Sequence, residues 1–449
     1  MSEQLTQWID AHMDEQLEAL KGPLRIPSVS RGTPEPGMPL GRHVYDALDY
    51  SLKLARRLGI ENTRLLDGYC ATAEFGEGEE LLMIMAHLDV VPAGSGWDSD
   101  PFEPVERNAR LVCRGVLDDK SAAVSALYAM AAVKAAGVPL KRRVRLFLGG
   151  DEEVGWSCIE RYKKTEELPT MAFTPDGCYP LVNSEMGICQ TRFHKARSGS
   201  SVRIDCGTAP NVVPGEAAAE LSFPAVPCEV PEGFTAEFHG GRIVIHVFGG
   251  HAAHNESAKN ALQCLLQVLN EQPLPPEDYA DVSALAALLG YDLHGEGFGL
   301  DVKDESGRLT LSPDMLKWDD TGITLTIDTR HPFSMTLDTL LKKQNDVFSA
   351  LGYTQSVIKA DASHFIPKES ELVSTLLDVY ETHIGHHAEP LSIGGGTYAR
   401  VMKNIVAFGP GFPGGANTEH EPNEYITVDD LYRMKAVYTA ALQKLLAQE

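Results

Sequence analysis

The sequence predicts an α/β fold with a second, α+β domain inserted into it, and three observations carry that prediction. Two short apolar runs, 81–85 (LLMIM) and 144–148 (VRLFL), flank an alanine-rich helical stretch at 121–136. Apolar strands alternating with a helix indicate a parallel sheet covered on both faces. From about residue 186 the texture changes to apolar–polar alternation, as in 242–248 (RIVIHVF) and 323–329 (ITLTIDT), the pattern of half-buried antiparallel strands. Near residue 390 the first texture returns with SIGGGTYAR and NIVAFGP. The expected organisation is therefore a first domain made of 1–185 and 390–449, with 186–389 inserted as the second.

The elements follow in order. Apolar residues recur at helical spacing in 3–21 and 43–58, before the strand 81–85, the helix 121–136 and the strand 144–148. The second domain contributes the strands 242–248 and 323–329 and a helix over 257–270, and a helix over 427–447 closes the chain. A chain of 449 residues exceeds one average core, in keeping with two domains. In parallel sheets ligands bind beyond the carboxyl ends of the strands, so the residues after 85 and 148 are the place to look for chemistry.

Composition removes several function classes. Lys and Arg total 39 against 63 Asp and Glu, a net charge of −24 that repels nucleic acid and anionic membranes. No apolar run is long enough to span a bilayer, and MSEQLTQWID has neither a basic n-region nor an apolar h-region, so a cytoplasmic protein is expected. The eight cysteines are Cys70, Cys113, Cys158, Cys178, Cys189, Cys206, Cys228 and Cys264. None forms a CxxC pair, which argues for reduced thiols and against a cysteine zinc site.

Five segments hold candidate metal ligands. MAHLDVVP ends an apolar strand; His87 and Asp89 are two apart and face one way on an extended chain, so the carboxylate can orient the ring. RGVLDDKSA places Asp118 and Asp119 where the alanine-rich helix begins, and alone they would be read as a cap. GGDEEVG sets Asp151, Glu152 and Glu153 directly after VRLFL, where mutual repulsion is best relieved by a cation. TPDG, with Asp176, would alone be a turn. NTEHEPNE brings His420 in a polar loop. Together they offer two histidines and several carboxylates, the ligand mix of a paired zinc, manganese or cobalt site, in which the ions sit roughly 3.5–4 Å apart.

The ordered set HLDVVP, RGVLDDK, GDEEVG, TPDG, GHAAH and GGGTYAR, with a late histidine, resembles the M20 metallopeptidases of clan MH. It is most similar to their dipeptidase branch, the PepV-like and Sapep-like enzymes, over nearly the whole chain. The resemblance implies a mixed-sheet, zinc-peptidase-like catalytic domain with an inserted lid, and two divalent ions per chain, Zn2+ or Mn2+ with Co2+ an alternative. It implies that His87 binds one metal and Asp89 orients it. Asp118 bridges both ions, with a cis peptide to Asp119. Glu152 is the general base, Glu153 a terminal ligand, and Asp176 and His420 one ligand each. Aligning GHAAHNESAKNA on Asn260 makes His251, rather than His254, the group that stabilises the oxyanion.

The resemblance further implies that Asn211 of APNVVP, Arg330 of DTRHP and Gly395, Gly396, Thr397 and Tyr398 of GGGTYAR contact substrate, while Asp119 and Glu152 lie near its free amine. The reaction it implies is hydrolysis of the amide bond of unblocked dipeptides by a water shared between two cations. The expected partner is a small peptide, and the protein a monomer or homodimer. The sequence departs from the family pattern at Ser121, Asn255, Ala258 and Asn417, none of them a ligand. An N-acyl-amino-acid deacylase or desuccinylase of the same fold is the alternative, followed by a non-catalytic metal-binding scaffold and a two-metal phosphoesterase. The scaffold would be expected to lack Glu152 or a ligand; the phosphoesterase would need a Ser or Thr nucleophile motif, which is not evident.

Overall fold

The computed structural model describes residues 3–30, 32–137, 139–247, 250–251 by their backbone, 259–415 and 417–447. The chain forms two compact units. One contains 1–183, 366–391 and 396–449, the other 184–365 and 392–395.

In the first unit four strands run parallel in the order Arg143–Gly149, Leu81–His87, Met171–Thr174, Ile405–Ala407. Cys70–Phe75 and Asn62–Leu66 extend the Arg143–Gly149 edge antiparallel, so the sheet is mixed. Every residue of Leu81–His87 is buried, as a central strand covered on both faces requires. The register sets Leu81 opposite Arg143 and His87 opposite Gly149. The carboxyl ends of these two strands are therefore level.

The helix Ser121–Ala135 is buried from Ser121 to Val133 on every face. Alanine favours a helix because it has no side-chain entropy to lose, and its small volume lets neighbours approach from all sides. It packs against the closing helix Val428–Leu446. The predicted helix over 3–21 is instead two, Glu3–Ala11 and Met13–Leu24. His12 lies at the break: its Nδ1 bonds the Trp8 carbonyl at 2.8 Å, and its amide turns to Ile9. A local side-chain bond has displaced the helical one.

The boundary of the insertion also differs from expectation. Residues 366–391 belong to the first unit, because the helix Glu371–Ile384 buries Leu372, Val373, Leu376, Val379 and Tyr380 in that unit's core. Residues 392–395 belong to the second unit.

The second unit is built on an eight-stranded antiparallel sheet. Its centre pairs Val202–Cys206, Thr310–Trp318, Gly322–His331 and Gly187–Ala196 in that order. Burial alternates along Val202–Cys206, matching the period of two. The helix expected over 257–270 is described from Ala261 to Asn270, and Asn260 caps it, its side-chain oxygen accepting the Leu262 and Gln263 amides at 2.9 and 3.3 Å. The strand expected to reach 248 ends at His246. His254, Asn255 and Ala258 lie outside the described residues. Among the described residues no helix is long and apolar enough to cross a membrane, and all eight cysteines are free thiols.

One buried polar chain in this unit has a consequence for pH. The Asn260 amide donates to the Pro313 carbonyl at 2.9 Å and to Ser312 Oγ at 3.3 Å. The Ser312 hydroxyl donates to Asp314, which is fully buried. Burial pushes the Asp314 carboxyl up to about 8, from an ordinary value of about 3.9. Between those values the folded state holds a proton that the unfolded state has released. Stability from this group is therefore present at low pH and lost as pH rises toward about 8. Asp314→Asn cannot lose a proton. Its melting temperature relative to the unsubstituted protein should rise steadily from pH 5 to pH 8; parallel melting curves across that range would contradict the assignment.

Candidate metal centre

The aligned strand ends deliver the acidic segments to one place. His87 is the last residue of its strand, Asp151, Glu152 and Glu153 follow Arg143–Gly149, and Asp176 follows Met171–Thr174. Asp118 and Asp119 come from a single wide helical turn, Val116–Lys120, leading into the alanine-rich helix, and the peptide between them is cis. His420 comes from the loop before Tyr425–Thr427 and has φ of 63°.

His87 is buried, and its Nδ1 lies 3.0 Å from the Asp89 carbonyl oxygen and 3.5 Å from Asp89 Oδ1. A carbonyl can only accept, so Nδ1 carries a proton, and Nε2 is the nitrogen left to meet a cation. Nε2 faces Asp118 Oδ1 at 2.8 Å and Asp176 Oδ2 at 3.8 Å. His420 Nε2 faces Asp118 Oδ2 at 2.9 Å and Glu153 Oε2 at 3.2 Å. Two groups of ligand atoms result, His87 with Glu152 and Asp176, and Asp118 with Glu153 and His420, each lying within 4.8 Å of one another.

The three consecutive acids divide their work, which the sequence did not reveal. Asp151 caps the helix Ser157–Thr165, accepting the Ser157 and Cys158 amides at 2.8 and 2.9 Å. Glu152 and Glu153 face the ligand groups. Asp89 does more than face His87: its carboxylate accepts the Glu152 and Glu153 amides at 2.9 and 3.2 Å and the Ser30 hydroxyl at 2.6 Å. It fixes both the imidazole and the turn that carries the glutamates. The Trp156 indole N–H donates to Glu152 Oε1 at 3.2 Å. Ser30 and Trp156 were not identifiable from spacing, because each meets its partner through a fold-dependent turn.

The electrostatics are those of a site short of positive charge. Burial, reinforced by the Asp176 carboxylate, pushes Glu152 well above the ordinary carboxylate range. Burial and Asp118 do the same to Asp176, and burial raises Asp119 and Glu153. Asp118 is the exception: despite burial, His87 and His420 hold it well below the usual range. Its hydrogen bonds, with those of Glu153, raise His420 to about 11. Glu153 Oε1 is buried without a hydrogen-bond partner among the described residues. Four carboxylates, two imidazole nitrogens and an orphaned carboxylate oxygen fit divalent cations, which relieve the repulsion and supply the missing partner.

The residues expected at the substrate have these surroundings. Asp119 is fully buried; its Oδ2 accepts the His87 amide at 3.2 Å and so braces the histidine. Tyr398 is also fully buried, packing edge-on to Phe147 and to His87, with its hydroxyl 3.1 Å from Cys158 Sγ. A Cβ on Gly149 would overlap that hydroxyl, which is why glycine ends the strand. Thr397 caps the short turn Tyr398–Arg400 by accepting the Ala399 amide, and Gly396 is exposed beside it.

Within the second unit, Arg330 is buried and holds Asp328 through Nε and Nη2 at 2.7 and 3.2 Å, while Nη1 donates to the Gly394 carbonyl at 2.7 Å. A buried guanidinium needs a charged partner, and Asp328 already fills that place. Arg330 thus holds the turn containing Gly394 and Gly395. Asn211 precedes the strand Val212–Val213, which pairs Val212 with His251. The His251 side chain lies outside the described residues.

Comparison with known proteins agrees with this geometry. Residues 83–444 match Peptidase family M20/M25/M40. The chain is 35% identical over 446 residues to the Bacillus subtilis (strain 168) protein named "Putative dipeptidase YtjP", covering 94% of this chain and 95% of the relative. Its fold is similar to that of the Saccharomyces cerevisiae di-peptidase Dug1p, with a TM-score of 0.60 at 15% identity over 98% of each chain. Human carnosine dipeptidase 1 gives 0.59 at 16% identity over 99% of this chain and 98% of the other. With the family matched across most of its length, the chain belongs to the M20 metallopeptidases and is a peptidase.

Proposed function

We propose that this protein hydrolyses unblocked dipeptides, using two divalent cations, Zn2+ or Mn2+, held by His87, Asp118, Glu153, Asp176 and His420. The observation that carries this reading is Asp118, whose two oxygens face different histidines, Oδ1 toward His87 at 2.8 Å and Oδ2 toward His420 at 2.9 Å. A carboxylate so placed would offer one oxygen to each of two cations. The relative named as a dipeptidase, matched over 94% of the chain, supports the substrate size.

When bound, the cations supply Lewis acidity, bringing a water toward ionisation at neutral pH and polarising the scissile carbonyl. Glu152 is the general base. Its carboxylate lies with the His87 and Asp176 ligand atoms, and the Trp156 indole steadies it. It takes a proton from the attacking water and passes it to the leaving amine. Asp89 keeps base and ligand in register by holding the Glu152 and Glu153 amides and facing His87. His251 is assigned to stabilise the oxyanion. Asn211 and the main chain of Gly395, Gly396 and Thr397 supply donors for the substrate carboxylate, with Arg330 holding the turn through Gly394.

A panel of free dipeptides, amidated dipeptides, tetrapeptides and N-acylated amino acids tests the reading. Free dipeptides should be cleaved fastest. Equal rates on tetrapeptides would replace it with a general aminopeptidase, and cleavage of N-acylated amino acids alone with a deacylase. Glu152→Gln should retain both metals while kcat falls roughly 10²-fold or more, as loss of a general base implies. Glu153→Gln should instead weaken metal binding itself; equal metal loss in both variants would reject this division. His251→Ala should lower kcat with metal content unchanged, and a wild-type kcat would remove His251 from the mechanism.

A further inference from the structure

The loop that carries His420 holds a second residue of the NTEHEPNE segment in a setting that its polar sequence does not suggest. Glu424 is fully buried and is paired with the equally buried Arg114 at 2.6 Å. The carboxylate is saturated. Oε2 accepts Arg114 Nη1 and the Gly115 amide at 2.9 Å; Oε1 accepts the Leu117 and Asp118 amides at 2.7 and 3.1 Å. One side chain thus fastens the backbone of the turn that presents Asp118.

Arg114 works from the other side of the pair. Its Nη2 donates to the His420 carbonyl at 3.2 Å and to the Ala93 carbonyl at 3.4 Å, and its guanidinium lies over the Trp97 ring. His420 itself is mostly exposed, and both it and Asn423 have left-handed backbone, with φ of 63° and 61°. Such conformations cost energy for residues with a side chain and persist only where their surroundings hold them. The loop that delivers His420 has little burial of its own to do this. Asn423 is tied to Asp98 and Gly96, and Thr418 to Tyr425, but the bonds that link the His420 backbone to the Asp118 turn are the anchor at Glu424 and the arginine bond to the His420 carbonyl.

We propose that Arg114 and Glu424 are positioning residues that set His420 against Asp118, and so govern the affinity of the cation held by Asp118, Glu153 and His420. The pair touches neither substrate nor cation. It acts through the backbone of two ligands that lie 302 positions apart in the sequence, Asp118 and His420. Outer partners of this kind are worth roughly 10–100-fold in metal affinity. The cation held by His87 and Asp176 has its own support, from Asp89 and Asp119, and should respond much less. This rests on the two-cation reading given above.

The test is stepwise binding of Mn2+ alone, followed by calorimetry on the metal-stripped full chain, for the unsubstituted protein, Glu424→Gln, Arg114→Lys and His420→Ala. Gln keeps the volume and one acceptor, but its amide group opposes the Gly115 N–H and the guanidinium. Glu424→Gln should weaken one of two binding steps tenfold or more, the same step that His420→Ala abolishes, and weaken the other, which shares Asp118, by clearly less. Arg114→Lys, which keeps the charge and loses the forked contact, should weaken that step by less. A pair that merely stabilised the fold would lower the melting temperature and affect both steps alike, and that result would overturn the proposal. So would two unchanged steps in both variants. If His420→Ala itself bound two ions normally, the two-cation reading would fail first. Should Glu424→Gln not fold, Arg114→Lys alone decides: a selective loss supports the assignment, and an unselective or absent one rejects it.

Discussion

The parallel pairing that sets His87 opposite Gly149 is the constraint from which the centre follows. Backbone hydrogen bonds fix the height at which two strands end, and a shift of one residue would turn every side chain to the opposite face. Because the ends are level, the residues just beyond them meet without long loops. Asp89 then joins the two: it leaves one strand and accepts the amides of the turn that leaves the other. Glycine at 149 is part of the same fit, since Tyr398 occupies the space a side chain would need.

Bringing so many carboxylates together in a buried place is costly. A charge removed from water must find a partner, and carboxylates deprived of one take up protons. The centre shows both responses. Asp118, flanked by two imidazoles, stays ionised, whereas burial drives Glu152 and Asp176 upward, reinforced at Glu152 by Asp176 and at Asp176 by Asp118. The remainder of the unit compensates by rigidity. Asp151 is spent on a helix cap, Asp119 on the His87 amide, and Glu424 on three amides and an arginine. Of these, Asp119 and Glu424 brace residues that face the centre, His87 and Asp118.

The sequence made the fold class legible because its signals are periodic: continuous apolar runs for covered strands, alternation for half-covered ones. The candidate ligands were legible because chemistry restricts them to a few residue types placed after strands. The supporting residues were not. Glu424 lies four residues from His420 and looks like any acid in a polar loop; its burial depends on a turn brought from 115–118 by the fold. Tyr398 and Arg330 are both buried, against neighbours that no local pattern announces, Gly149 and Asp328. The membership of 366–391 was missed for a related reason: an amphipathic helix does not state which core it covers.

The first unit is discontinuous in the chain, and this bears on how the enzyme is made. Its sheet includes Ile405–Ala407, and its centre takes His420 from beyond the whole of the second unit. A ribosome that has produced the first three hundred residues has made every acidic residue of the two ligand groups but not the second histidine or the glutamate that seats it. On the proposed ligand set, a chain that stops short of Glu424 lacks a complete centre, so the centre can form only after the chain has left the second unit and returned to the first.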